Sequence, residues 1–161
     1  LHLAAQVAVT TSVVDPREDF EVNAGGTFNL LEAARLNGRN PVFLYASTNK
    51  VYGGMENVRV QEDATRWRYA DLPQGCPETQ PLDFHSPYGC SKGAGDQYVR
   101  DYARIYNLPS VVLRQSCIYG PGQFAVEDEI QSSQFPARLG IKESDIAAQV
   151  SHHDLLLVCD Q

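Results

Sequence analysis

Two short apolar runs constrain the fold of this chain more than any other feature. Pro41-Val42-Phe43-Leu44-Tyr45-Ala46-Ser47 and Ser110-Val111-Val112-Leu113-Arg114 each follow a segment of helical periodicity. Strands that alternate with helices form parallel sheets, because parallel neighbours need a long crossover and a helix supplies it. The first helical segment opens at Asp15-Pro16-Arg17-Glu18, where Asp15 caps, Pro16 suits the first turn and Glu18 completes a capping box. It carries Phe20, Val22, Phe28, Leu30, Leu31, Ala34 and Leu36 and stops at Asn37-Gly38. The second starts at Ser86-Pro87, runs to about Tyr106 and ends at Asn107-Leu108-Pro109. Residues 53–84 read as an irregular excursion between the first strand and this helix.

The chain has 161 residues, enough to bury a core, and 43% hydrophobic with 20% charged residues is ordinary globular usage. Thirteen Lys and Arg against twenty Asp and Glu give a net charge of −7, which weighs against nucleic acid or an anionic membrane as partner. No run approaches the roughly 20 apolar residues of a membrane helix, and the opening LHLAAQVAVTTSVV has no charged leader region. Cys76, Cys90, Cys117 and Cys159 form no CxxC and no zinc-ligand spacing, so they read as free thiols of a reducing, cytoplasmic compartment, with no metal expected.

The chemistry concentrates in Tyr88-Gly89-Cys90-Ser91-Lys92 at the start of the second helix. Tyr88 and Lys92, at i and i+4, project from one helical face about 6 Å apart along the axis. A nearby ammonium favours the phenolate and lowers a tyrosine from its ordinary value of about 10. So tuned, Tyr88 can take a proton from a sugar hydroxyl as hydride leaves the same carbon, and Lys92 can bind the ribose hydroxyls of a nicotinamide cofactor. The first strand runs into Ala46-Ser47-Thr48-Asn49-Lys50-Val51-Tyr52-Gly53, and a hydroxyl at the carboxyl end of a parallel strand lies where such sheets bind ligands. Downstream, Leu113-Arg114-Gln115-Ser116 leads to Ile118-Tyr119-Gly120-Pro121-Gly122.

Together with His2-Leu3-Ala4-Ala5, Asn23 and Gly26-Thr27, these residues in this order resemble the extended short-chain dehydrogenase/reductase family of nucleotide-sugar epimerases and dehydratases. The likeness covers residues 1 to about 125. It implies NAD as cofactor, a nucleotide sugar as substrate and a homo-oligomer when full length. It makes Tyr88 the acid and base, Lys92 its electrostatic partner and Thr48 the hydroxyl that orients the sugar. Leu3, Ala4 and Ala5 would line the phosphate and ribose side of the cofactor, Asn23 would tether the first helix near it, and Ser47 and Ser116 would face the nicotinamide end. Ser12, Thr48, Asn49, Tyr88 and Cys117 would lie toward the substrate. The forty positions from Thr48 to Tyr88 are long for the wider family and imply an insertion at 53–84. After Thr48, where related dehydratases carry a carboxylate for elimination, stand Asn49 and Lys50. The resemblance therefore implies epimerisation by transient oxidation rather than dehydration. An enzyme acting on a UDP- or dTDP-sugar, or a catalytically silent protein of the same fold, are the alternatives.

The family's opening G-x-G-x-x-G turn does not occur; Gly25-Gly26 and Gly93-Ala94-Gly95 have the wrong spacing and fall inside helices. The expected fold is therefore α/β, a partial Rossmann-like, doubly wound parallel sheet lacking its first βαβ units. Residues 1–125 form the central and C-terminal part of an NAD-binding domain, and 126–161 a divergent or truncated tail left unassigned. Other features have plainer readings. His85 either touches substrate or caps the helix. Trp67, Tyr69 and Tyr52 pack in core or loop. Arg100 and Arg104 pair on the helix surface with residues such as Asp96 and Asp101, while Arg114 is a candidate phosphate ligand. Glu127-Asp128-Glu129 and His152-His153-Asp154 are solvated turns.

Overall fold

The structure is a computed structural model that describes residues 1–64, 66–116 and the strand at 155–158. The expectations for Cys117, the 118–122 loop, 127–129, 152–154 and Cys159 lie outside these residues.

After an extended opening stretch come a short helix α1 (Val9–Val14) and a helix α2 (Pro16–Asp19). A π-helical turn (Phe20–Gly25) joins α2 to α3 (Gly26–Leu36), so the span expected from Asp15 to Asn37 is helical throughout but widened to π geometry at its centre. The Asp15 side chain accepts from the Glu18 amide at 3.0 Å, the cap read from the sequence. The Asp15 N–H donates to the Thr11 carbonyl at 2.9 Å, closing α1, so it is not left for Glu18 to complete the reciprocal box. Helix α1 has no sequence signal of its own; VTTSVV is rich in β-branched residues, which disfavour helix in isolation.

Strand β1 (Phe43–Thr48) follows, then a 3-10 turn (Asn49–Tyr52). The excursion at 53–84 contains an antiparallel hairpin that the sequence reading missed, β2 (Val60–Glu62) with β3 (Trp67–Tyr69). Its strands are three residues each, too short to show a period of two. Helix α4 (Ser86–Tyr106) has the expected bounds and stops where Asn107 takes a left-handed conformation, φ 53°. Strand β4 (Ser110–Gln115) then pairs with β1 in parallel, from Phe43 opposite Ser110 to Thr48 opposite Gln115. A last strand, β5 (Leu155–Val158), adds to the other edge of β4, antiparallel rather than parallel. The three-stranded sheet runs β1-β4-β5.

Helices α3 and α4 pack on one face of this sheet. Leu31, Tyr45, Val99, Tyr102, Leu108 and Val112 form the core, with Leu31 and Val99 completely buried; each such aliphatic side chain contributes about 1.5–3 kcal/mol. A Cβ on Gly95 would stand 2.8 Å from Tyr45 Cζ, so that glycine lets α4 lie close on β1. The glycines within α4 serve packing, not phosphate. The apolar run of β1 is not buried on both faces: Val42 and Leu44 are each 65% exposed.

Arg114 sits in the core at 1% exposure, which removes it as a phosphate ligand. Its Nε and Nη2 donate to Asp96 at 2.8 and 2.9 Å, and its Nη1 donates to Tyr52 Oη at 2.8 Å. Asp96 is fully buried by this pairing and is no surface partner for Arg100. The Arg104–Asp101 contact, at 4.0 Å, is on the surface as expected. Tyr52 is in the core, while Trp67 and Tyr69 are half-buried on the hairpin.

Candidate active site

The carboxyl ends of β1 and β4 lie side by side, so Thr48 stands opposite Gln115 and Ser116 follows one residue on. The hydroxyl of Thr48 accepts from the Lys50 amide at 3.2 Å and starts the 3-10 turn. The first turn of α4 packs on that turn: a Cβ on Gly89 would meet the Lys50 carbonyl oxygen at 3.4 Å. This contact brings the head of α4, where Tyr88 stands, against the turn that follows Thr48, which is forty positions earlier in the chain than Tyr88.

Three further contacts fix the head of α4. Ser86 Oγ accepts from the Gly89 amide at 3.2 Å, capping the helix where His85 does not. His85 instead meets Asp83 at 3.0 Å on the surface. Ser12 Oγ, completely buried on α1, accepts from the Tyr88 amide at 3.2 Å and donates to the Val9 carbonyl at 2.6 Å. Its hydroxyl is committed to the backbone, and it positions Tyr88 through the main chain. Finally, Asn23 Nδ2 lies 3.3 Å from Ser91 Oγ, which donates to the Tyr88 carbonyl at 3.1 Å.

Lys92 lies one turn below Tyr88. Its ammonium donates to the Ala46 carbonyl at 2.5 Å and stands 4.6 Å from the centroid of the Tyr45 ring. Tyr45 Oη in turn donates to the Lys92 carbonyl at 3.2 Å. Burial lowers Lys92 to about 8, against the opposing fields of Asp19 and Asp96. Burial also pushes the Tyr45 hydroxyl above its usual range. The result is an ammonium close to neutral poise, on the helical face that carries Tyr88.

The opening stretch runs past this site. Asn23 holds it by two bonds to Gln6, accepting from the Gln6 amide at 3.1 Å and donating to its carbonyl at 3.0 Å. Leu3, Ala4 and Ala5 just upstream are exposed. Asn23 thus joins the opening stretch, Asp19 and α4. Ser47 is buried, with its hydroxyl donating to Asp96 at 2.8 Å, and Ser116 is half-buried at the end of β4. The residues that sequence reading missed are Tyr45, Asp96 and Asp19. Asp96 was within reach of it: Tyr88, Lys92 and Asp96 recur at i, i+4 and i+8, one helical face.

This arrangement of strand ends and helix has known counterparts. The chain is 56% identical over 128 residues to CDP-paratose 2-epimerase of Salmonella typhi, a match that covers 80% of the chain and 38% of that relative. It is similar to the structure of Thermus thermophilus UDP-glucose 4-epimerase in complex with NAD, at 37% identity and a TM-score of 0.60, over 81% of this chain and 38% of that one. It is also similar to Pseudomonas aeruginosa RMD complexed with NADPH, at 31% identity and a TM-score of 0.60, over 76% of this chain and 37% of that one. The chain thus spans less than half the length of these proteins. The family described as GDP-mannose 4,6 dehydratase matches residues 1–144, and the chain belongs to this family, within the extended short-chain dehydrogenase/reductase epimerases and dehydratases.

Proposed function

We propose that this chain carries the catalytic wall of an NAD-dependent nucleotide-sugar epimerase that converts CDP-paratose to CDP-tyvelose. The observation that supports the reading is that α4, which carries Tyr88 and Lys92, packs by Gly89 on the turn that follows Thr48 and reaches the Ala46 carbonyl of β1 through Lys92, in a chain 56% identical over 128 residues to a CDP-paratose 2-epimerase. Asn49 and Lys50 occupy the turn after Thr48, with no carboxylate there to eliminate water.

The residues present fit the ribose and nicotinamide end of NAD. The Gln6 side-chain oxygen is buried without a hydrogen-bond partner, an acceptor suited to a hydroxyl or carboxamide donor, and it follows directly on Leu3, Ala4 and Ala5. The Lys92 ammonium can turn from the Ala46 carbonyl to ribose hydroxyls. Ser47 and Ser116 stand at the strand ends, toward the nicotinamide in this reading. Bound NAD supplies a reversible hydride acceptor. Tyr88 takes the proton of the sugar hydroxyl and later returns it, and the Lys92 charge favours the phenolate between those steps. Thr48 and Asn49 orient the sugar, with Cys117 as the further substrate contact that the resemblance implies. Between oxidation and reduction the keto sugar presents its opposite face.

The whole protein in this reading is cytoplasmic, and a further layer covers the face of β1 that carries the exposed Leu44. Residues 1–125 belong to its cofactor domain, with 53–84 as an insertion. A homo-oligomer suits the edge-on aromatic row Phe28, Tyr98, Tyr102 and Tyr106 on α3 and α4, in which Phe28, Tyr98 and Tyr106 are 40–48% exposed. Among the described residues no helix is long and apolar enough to cross a membrane.

The test uses the full-length gene product. Incubated with CDP-paratose and NAD, it is expected to form CDP-tyvelose, observed by NMR of the sugar, and Tyr88→Phe is expected to abolish this while NAD binding persists. Turnover of UDP-glucose alone, or unchanged turnover in Tyr88→Phe, would overturn the reading.

A further inference from the structure

Helix α2 and the π turn contribute a charge that the mechanism above leaves unused. Asp19 is completely buried. Its Oδ1 accepts from Asn23 Nδ2 at 3.1 Å, one turn on, and its Oδ2 has no hydrogen-bond partner. Among the described residues no cation is bonded to it. A lone carboxylate in that setting costs several kcal/mol unless an opposite charge compensates it.

The compensating charge is on α4. Helix α2 and the π turn both pack against α4, and the same Asn23 amide that bonds Asp19 reaches Ser91, the neighbour of Lys92. Two carboxylates bear on the Lys92 ammonium, Asp19 and Asp96. The charge of Asp96 is already met by two bonds from Arg114, with Ser47 and Gln97 donating as well. Asp19 is the one with charge to spare. Among the described residues, the other titratable groups facing it are the Tyr45 phenol on β1 and, one turn along α4, Tyr88.

We propose that the buried Asp19 carboxylate is the counter-charge that keeps the Lys92 ammonium protonated and in place beside Tyr88, which makes Asp19 a positioning residue of the site. Asp19 and Asn23, one turn apart, share one hydrogen bond, and Asn23 also spans to Ser91 on α4. This rests on the reading of Lys92 as the partner of Tyr88. Its test needs no turnover, so the two can fail separately.

The chain has three lysines, Lys50, Lys92 and Lys142, so labelling the lysine ε-carbons gives three NMR signals. The wild-type chain should show the Lys92 signal titrating near 8. Asp19→Asn should lower its proton affinity by at least about threefold, and Asp19→Glu should restore most of the loss. A Lys92 titration unmoved by Asp19→Asn, or a loss that Asp19→Glu does not restore, would overturn the proposal. Should Asp19→Asn fail to fold, the double variant Asp19→Asn with Lys92→Met carries the test, because it removes both charges together. Its unfolding constant should be at least about tenfold more favourable to the folded state than that of Asp19→Asn alone. A double variant no better folded than the single one counts against the pairing.

Discussion

Replacing Asp96 by Ala removes one half of an ion pair whose two members are 0% and 1% exposed. The Arg114 guanidinium would keep Tyr52 Oη at 2.8 Å and the Glu78 carbonyl at 3.4 Å but lose both charge-assisted bonds, at 2.8 and 2.9 Å. Water cannot replace the carboxylate at 1% exposure without opening the core. Breaking a buried pair from one side costs about 3–5 kcal/mol, most of it the uncompensated charge. The Ser47 hydroxyl, which donates to the same carboxylate at 2.8 Å, adds about 1 kcal/mol. With a urea slope of about 2 kcal/mol per molar for a domain of this size, the midpoint should fall by about 2–3 M, or the cooperative transition should vanish. Removing both charges, Asp96→Leu with Arg114→Met, should cost at least about 2 kcal/mol less than the sum of the single changes, because no orphan charge remains. The assay is urea unfolding followed by far-ultraviolet circular dichroism on all variants. A loss below about 1 kcal/mol for Asp96→Ala, or strict additivity in the double variant, would refute the reasoning.

Other outcomes are expected at nearby positions. Gly95→Ala places a methyl 2.8 Å from Tyr45 Cζ and should cost about 1–3 kcal/mol in the same unfolding assay. Ser12→Ala leaves the Tyr88 amide without its acceptor and should cost about 1 kcal/mol, read as a lowered melting temperature. The pH dependence follows from Lys92, whose folded value of about 8 lies below its ordinary 10.5. Folding therefore expels a proton between those values, and the penalty for the buried charge is fully present below pH 8. It falls away as pH rises to about 10.5, so wild type should gain at most about 3 kcal/mol of stability on Lys92→Met across that window, measured by paired urea titrations.

Much of the candidate site was legible because it depends on local chemistry. The Ser86-Pro87 start and the Asn107 stop of α4 are set by backbone preferences, and i, i+4 spacing alone puts Tyr88 and Lys92 on one face. The strands β1 and β4 were legible as apolar runs, and their parallel pairing followed from the helix between them. Local signals were silent where tertiary contact overrides propensity. Helix α1 forms from β-branched residues because Ser12 is drawn under the head of α4. The π turn, too, has no local signal, and the Asn23 it carries bonds both the opening stretch and Ser91.

By itself, the sequence determined the alternation of helix and strand, the family and the identity of the chemical groups: a tyrosine and a lysine on one helix, and a threonine at a strand end. Only the tertiary structure decided the electrostatics around them. It placed Arg114 on Asp96 in the core rather than on a ligand, set the Tyr45 ring under Lys92, and left Asp19 buried with an unbonded oxygen. The physical reason is that a residue's type fixes what charge it can carry, whereas desolvation and neighbours fix what that charge costs. Those neighbours come from positions 18 to 73 residues away along the chain.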